Sequence, residues 1–260
     1  MLFRSTLAAG LATQGMLPFC VIYSTFLQRA YDQVLHDVAL QKLGVVFCVD
    51  RAGIVGHDGP THHGVFDIAF LRCIPNLTIA APRNAQQLQN LLYTAQLGLE
   101  QPLAIRYPRG YSQLNQLSFD FEEVTLGKGS CLKEGGQIAI LSLGTIAGNI
   151  QSALAEPKNV DNFAHFDLGF VKPLDLELLH AVFNTYQRVV VFEEGTVKGG
   201  AGSAILEFAA KYNYNIPIEL EGVPDQFISH GNPKNLLKDL GLDTDGICKK
   251  LDSILNKNEE

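Results

Sequence analysis

No apolar run in this 260-residue chain reaches about 18 residues, so no segment is expected to span a membrane. The chain opens Met1-Leu-Phe-Arg-Ser ahead of an apolar stretch, much as a signal peptide does. Gly10, Gln14 and Gly15 break that stretch and no cleavage site follows, so secretion is not expected. Basic residues are few: 20 Lys and Arg stand against 27 Asp and Glu, for a net charge of −7. That balance argues against a nucleic-acid surface and leaves any anionic substrate to a few local arginines. Cys20, Cys48, Cys73, Cys131 and Cys248 show no CxxC or Cys/His metal spacing. Reduced, buried thiols in a cytoplasmic protein are the expectation. No internal repeat is visible, and the length suits one large or two ordinary domains.

What is present is an alternation of apolar strands and amphipathic helices. Residues 6–14 read as a helix of small residues ending at Gly15, and 18–23 (PFCVIY) as a strand. Ser24 or Thr25 caps a helix that carries Phe26, Ala30, Val34, Leu35, Val38 and Ala39 at helical spacing. Its other faces hold Arg29, Asp32, Gln33 and His36, with Gln33 expected in solvent. Strands follow at 45–49, 77–81 and 103–107, with a helix opened by Pro82 and Asn84 between the last two. Residues 111–126 shift in composition and read as a linker. Strands at 138–143, 163–168, 188–192 and 216–220 then alternate with helices near 146–155, from Asp175, at 203–212 and at 243–256. The pattern predicts an α/β protein of two three-layer domains with mainly parallel sheets.

The chemistry concentrates in Asp50–Gly64, DRAGIVGHDGPTHHG, just past the buried strand 45–49. Four glycines and Pro60 exclude regular structure, while an arginine, aspartates and three histidines supply titratable groups. Ligands bind α/β sheets at the carboxyl ends of strands, so a site is the stronger reading against a polar surface turn. A metal bound by His57, Asp58, His62 and His63 is one option. A small anionic substrate is another: Arg51 and Arg109 stand at two strand ends, guanidinium forks suit phosphate or carboxylate, and a histidine between them moves protons near neutral pH. The Lys198–Ser203 stretch, KGGAGS, opens a helix after a strand but matches no phosphate-loop pattern. Its glycines are better explained by tight packing of the helix on the sheet. Glu193 and Glu194 read as a helix-facing or interface pair rather than an acid/base couple.

Several stretches closely resemble the 1-deoxy-D-xylulose-5-phosphate synthase family: YSTFLQRAYDQ at 23–33, DRAGIVGHDGPTH at 50–62, FDIAFLRCIPN at 66–76, RYPRG at 106–110 and FVKPLD at 170–175. The resemblance implies a transketolase-like transferase using thiamine diphosphate and Mg2+. Its reaction condenses pyruvate with glyceraldehyde 3-phosphate and releases carbon dioxide, opening non-mevalonate isoprenoid biosynthesis and supplying thiamine and pyridoxal precursors. Carried over, Phe26 and Tyr23 line the aminopyrimidine pocket. Arg51 and Arg109 hold the aldehyde's phosphate with Tyr23 and Arg29 nearby, His62 exchanges protons with substrate oxygens, and Asp58 orients the substrate. His63 receives no role, and no metal ligand is assigned within this chain.

On the same resemblance, 1–113 is a partial pyrimidine-binding domain, 114–126 a linker and 127–260 a transketolase C-terminal domain, in an enzyme expected to be a homodimer. Family chains are more than twice as long. Their diphosphate-binding domain, with its magnesium motif, has no counterpart here, and the glutamate that drives the cofactor's tautomerisation aligns with Met1. The chain is therefore expected to be a C-terminal portion that is inactive alone. Competing expectations are the pyrimidine-binding subunit of a split transketolase or 2-oxo acid dehydrogenase, and a non-catalytic module that kept the fold.

Overall fold

The computed structural model describes residues 2–111, 117–156 and 161–256. Met1, on which the family glutamate would fall, and 114–116 of the expected linker lie outside the described residues. The first half opens with helix α1 (Leu2–Ala12), strand β1 (Phe19–Tyr23), the short helix α2 (Ser24–Leu27) and strand β2 (Val46–Asp50). Helix α3 (Asp67–Leu71), strand β3 (Thr78–Ala80), helix α4 (Ala85–Gln96) and strand β4 (Leu103–Arg106) complete it. The second half holds β5 (Ser130–Lys133), β6 (Ile138–Leu143), α5 (Ile146–Leu154), β7 (Phe163–Asp167) and β8 (Phe170–Lys172). There follow α6 (Leu176–Thr185), β9 (Arg188–Thr196), α7 (Ala201–Lys211), β10 (Ile218–Val223), α8 (Pro233–Asp239) and α9 (Thr244–Asn256).

Among the described residues the strands form two five-stranded sheets, ordered β1-β2-β4-β3-β8 and β10-β9-β6-β7-β5. Pairing is parallel except at β8 and β5, which run antiparallel at one edge of each sheet. Burial on both faces explains the unbroken apolar runs. Along β2, Phe47 and Val49 face a core with Leu27, Val34, Ile68 and Leu71, while Val46 and Cys48 pack with Leu91 and Ala95 of α4. In the second sheet, Ile138, Ile140, Val190 and Phe192 meet residues of α5 and α9, and Leu141 and Val191 meet α6 and α7. The first of these cores is continuous between the halves, with Phe47 and Val191 in one cluster.

Three expectations change. The segment FVK was read only as a motif; it forms β8 and joins the first half's sheet through Ile79↔Lys172 and Ala80↔Phe170. Lys172 Nζ then donates to the carbonyls of Arg72 (2.9 Å) and Ile74, tying the halves together. The helix expected from Ser24 is not uniform: an α-turn passes into a 3-10 turn (Gln28–Ala30) and then a π-helical segment (Gln33–Ala39). Gln33, expected in solvent, is half-buried with Oε1 shielded and without a partner among the described residues. All five cysteines are free, but the burial expected of them holds only for Cys20 and Cys48: Cys248 is half-buried, and Cys73 and Cys131 are exposed. Among the described residues no helix is long and apolar enough to cross a membrane.

Candidate active site

Parallel pairing of Tyr23 with Asp50, and of Val49 with Arg106, sets the carboxyl ends of β1, β2 and β4 side by side. At the end of β2 the backbone turns sharply: Arg51 is left-handed (φ 57°), a conformation uncommon for any residue but glycine and enriched where function fixes geometry. Arg51 N–H donates to Asp50 Oδ1 at 2.7 Å, and Ala52 N–H to the Tyr107 carbonyl at 3.0 Å. The loop is then closed by a two-way bridge between Gly53 and Gly64, with N–H···O distances of 2.7 and 2.8 Å. Gly53 has no room for a side chain, because a Cβ there would lie 2.3 Å from Glu194 Oε1.

The residues singled out from the sequence form one cluster on this frame. The Arg51 guanidinium lies 4.0 Å above the Tyr23 ring, a cation–π contact. Tyr23 stacks on Phe26 with centroids 5.7 Å apart and planes 16° off parallel. Phe26 meets the His62 ring edge-on at 5.2 Å, and the Arg29 guanidinium is 5.5 Å from the Phe26 centroid. Asp58 Oδ2 accepts from Arg51 Nη1 at 3.1 Å and from Arg109 Nη1 at 3.4 Å. Thr61 Oγ1 lies 2.9 Å from His62 Nδ1, and Thr25 Oγ1 donates to the Thr61 carbonyl at 2.9 Å, tying the histidine's neighbour to α2. The result is a flat aromatic wall, a histidine at its edge and two convergent cations, all partly open to solvent.

The metal alternative does not fit. Among the described residues no group of three His, Cys, Asp or Glu side chains could hold a metal ion. His63 is buried at 3% exposure with both ring nitrogens engaged, and Asp58 is committed to arginines. The glycine-rich stretch at 198–203 is likewise closed to anions. The N–H groups of Ala201 and Gly202 at the start of α7 both donate to the Glu193 carboxylate at 2.9 Å. A Cβ on Gly202 would meet Leu220 at 2.8 Å, so this glycine serves helix–sheet packing.

Composition and motif did not reveal the supports beneath the loop. Arg106, in the motif RYPRG, turns inward: its Nε donates to Asp67 Oδ2 at 3.0 Å and Nη2 to the Glu194 carbonyl at 3.1 Å. Burial disfavours its charge, but the Asp67 carboxylate, with Glu194 and Glu193 near, outweighs that and raises its pKa. Glu194 Oε1 accepts the Ile54 N–H at 2.7 Å. Burial pushes the carboxyl groups of Glu193 and Glu194 up, against hydrogen bonds and Arg106 that pull them down. The available signal was an arginine closing the apolar strand LAIR, which must find a buried carboxylate. The reading of Glu193 and Glu194 as a helix-facing or interface pair agrees with these contacts, but nothing local pointed to Ile54, 140 residues away, as the partner of Glu194.

Residues 5–113 match the transketolase pyrimidine-binding domain and residues 127–247 the transketolase C-terminal domain. The chain is 50% identical over 246 residues to 1-deoxy-D-xylulose-5-phosphate synthase of Cytophaga hutchinsonii, covering 94% of this chain and 39% of that protein. It is 51% identical over 257 residues to the synthase of Bacteroides fragilis, covering 98% of this chain and 39% of that protein. It thus spans about two-fifths of the length of these curated relatives. A solved structure described as a split-gene transketolase, inactive β4 tetramer, superposes with a TM-score of 0.85 at 29% identity, over 98% of this chain and 82% of that one. Transketolase from Campylobacter jejuni shares the fold, with a TM-score of 0.71 at 19% identity over 96% of this chain and 38% of that one. Two transketolase domains filling most of its length, and relatives half identical to it across nearly all of it, show that the chain belongs to the transketolase family, on its 1-deoxy-D-xylulose-5-phosphate synthase branch.

Proposed function

We propose that this chain supplies the substrate-facing part of a thiamine-diphosphate-dependent synthase that condenses pyruvate with glyceraldehyde 3-phosphate. The observation that carries this reading is the meeting of Arg51 and Arg109 on one carboxylate oxygen beside the Phe26–His62 contact. Two guanidiniums converging on a single anionic atom form a seat for a phosphate, and Asp58 fills that seat internally.

Phe26 and Tyr23 offer a stacked aromatic surface on which an aminopyrimidine ring fits, and among the described residues no group of three His, Cys, Asp or Glu side chains could hold Mg2+. When bound, the cofactor supplies the carbanion chemistry. The chain's own residues do the rest. Arg51 and Arg109 orient the aldehyde through its phosphate, which fixes the carbonyl relative to His62. His62, steadied at Nδ1 by Thr61, presents Nε2 to give or take a proton at a substrate oxygen. Asp58, once displaced from the arginines, orients the second substrate. The same reading covers the finer expectations: a cytoplasmic enzyme, homodimeric when whole, feeding isoprenoid and thiamine precursors, with a domain boundary across 114–126.

A second arrangement has support of its own. The split-gene transketolase structure covers nearly the same extent of chain and is described as an inactive tetramer of one subunit type. By that likeness, this polypeptide works with a partner chain carrying the remaining domain. One experiment addresses both. The portion of the Bacteroides fragilis synthase that this chain does not match is supplied either fused to residues 1–260 or as a separate chain. Formation of 1-deoxy-D-xylulose 5-phosphate, abolished by His62→Ala, is expected. Absence of product from a folded fusion that binds the cofactor would refute the reading.

A further inference from the structure

His63 has no part in the proposed chemistry, yet it is the most enclosed histidine of the loop, with 3% exposure. Its Nδ1 accepts the N–H of Val55 at 3.1 Å, so the ring proton is on Nε2, which donates to the carbonyl of Ser229 at 3.1 Å. One imidazole thus links the loop to itself and to a segment 166 residues further on. The contact is not isolated. Gly231 N–H donates to the Gly56 carbonyl at 3.2 Å. A Cβ on Gly56 (φ +94°) would lie 2.6 Å from Pro233, and one on Gly59 3.2 Å from His230. Ile54 and Val65 close the underside with Val223, Ile228 and Leu236. The loop bearing Asp58 and His62 therefore rests on residues 228–236, which contribute none of the aromatic, arginine or histidine groups of the cluster.

We infer that His63 is a positioning residue, a clasp through which the C-terminal half fixes the loop that carries Asp58 and His62. The bond to Ser229 is the part that matters, because it is the one that crosses between the halves. The inference rests on the reading of this loop as the substrate site, and the test separates the two.

The variants H63Q, H63N and H63L divide the contacts. A glutamine amide nitrogen reaches the place of Nε2 and keeps the Ser229 bond. An asparagine oxygen reaches the place of Nδ1 and keeps only the Val55 bond, and leucine keeps neither. Hydrogen exchange of the whole chain is followed at the 53–64 and 228–233 segments, with 138–143 as a fold control, alongside titration with inorganic phosphate. In H63L and H63N, exchange at both segments should rise and phosphate affinity should fall about fivefold, as for loss of one hydrogen bond. The 138–143 segment should not change, and H63Q should restore both readouts. If H63L fails to fold, the comparison of H63N with H63Q decides. Exchange and affinity within twofold of the native chain in H63N, or failure of H63Q to outperform H63N, would overturn the clasp. Absence of phosphate binding by the native chain would instead refute the substrate-site reading, while the exchange comparison would still decide the role of His63.

Discussion

Arg51 and Arg109, 58 residues apart in sequence, share one oxygen of Asp58 at 3.1 and 3.4 Å. On the proposed reading the aspartate stands where a phosphate oxygen would, which makes anion binding an exchange of one acceptor for another. Parallel strands bring the two arginines together, and the left-handed turn at Arg51 directs its guanidinium across Tyr23.

Removing the internal competitor should sharpen the seat. Asp58→Asn loses the charge that holds both guanidiniums. Ion pairs this open to solvent are worth about 0.2–1 kcal/mol each. Affinity for inorganic phosphate, read by titration calorimetry, should rise about two- to fivefold. Weaker binding would show that Asp58 assists the anion rather than standing in for it.

The buried pair beneath the loop should be far more costly to break. Arg106 and Asp67 are 6% and 0% exposed and 3.0 Å apart. Arg106→Leu strands the Asp67 carboxylate and strips a donor from the Glu194 carbonyl. The expected loss is about 3–5 kcal/mol in urea unfolding, because an uncompensated buried charge remains. A loss below about 1 kcal/mol would mean that the pair is not what holds this interface.

Stability should fall on mild acidification through His165. This side chain is fully buried on β7; Nε2 lies 2.8 Å from Ser142 Oγ, and Nδ1 has no partner among the described residues. Burial first, then the positive charges of Arg83 and Lys133, hold it down at about 4. Between the ordinary histidine value and that figure, the unfolded chain binds a proton that the folded chain refuses. The contribution is therefore complete above pH 6.5 and drains away as pH falls towards 4, amounting to about 3 kcal/mol. Glu193 and Glu194 act oppositely: their raised values favour folding below the usual carboxylate range and lose that effect as pH rises through the folded values. His165→Gln, which can keep a donor towards Ser142, should flatten the slope between pH 6.5 and 4.5 in denaturant titrations. An unchanged slope would place the acid sensitivity elsewhere.

Much of this was legible in the sequence, for physical reasons. The strands at 46–50 and 138–143 announced themselves because both faces are buried, and the loop from Arg51 stood out because glycines and titratable groups coincide. Parallel topology then made convergence of Tyr23, Arg51 and Arg109 the natural outcome. What escaped was long-range and chemically ordinary. The strand Phe170–Lys172 is three residues whose partner lies across the linker, so no local pattern marks it. The π-helical stretch Gln33–Ala39 keeps an apolar spacing indistinguishable from that of an α-helix. The partners of His63 and Glu194 lie 166 and 140 residues away, invisible to motif or periodicity, although the Glu193–Glu194 pair itself read as helix-facing or interface.

The central claim is that Arg51 and Arg109 read the phosphate of the aldehyde. The direct measurement is the ratio of kcat/KM for glyceraldehyde 3-phosphate to that for unphosphorylated glyceraldehyde, in residues 1–260 fused to the portion of the Bacteroides fragilis synthase that they do not match. Loss of two charged contacts of this kind, at about 1.5–3 kcal/mol each, should lower the ratio roughly 100-fold or more in the Arg51→Ala, Arg109→Ala double variant. Turnover of the unphosphorylated aldehyde should stay within a few-fold of the native enzyme. A ratio that does not move, or an equal collapse of both substrates, would contradict the phosphate seat.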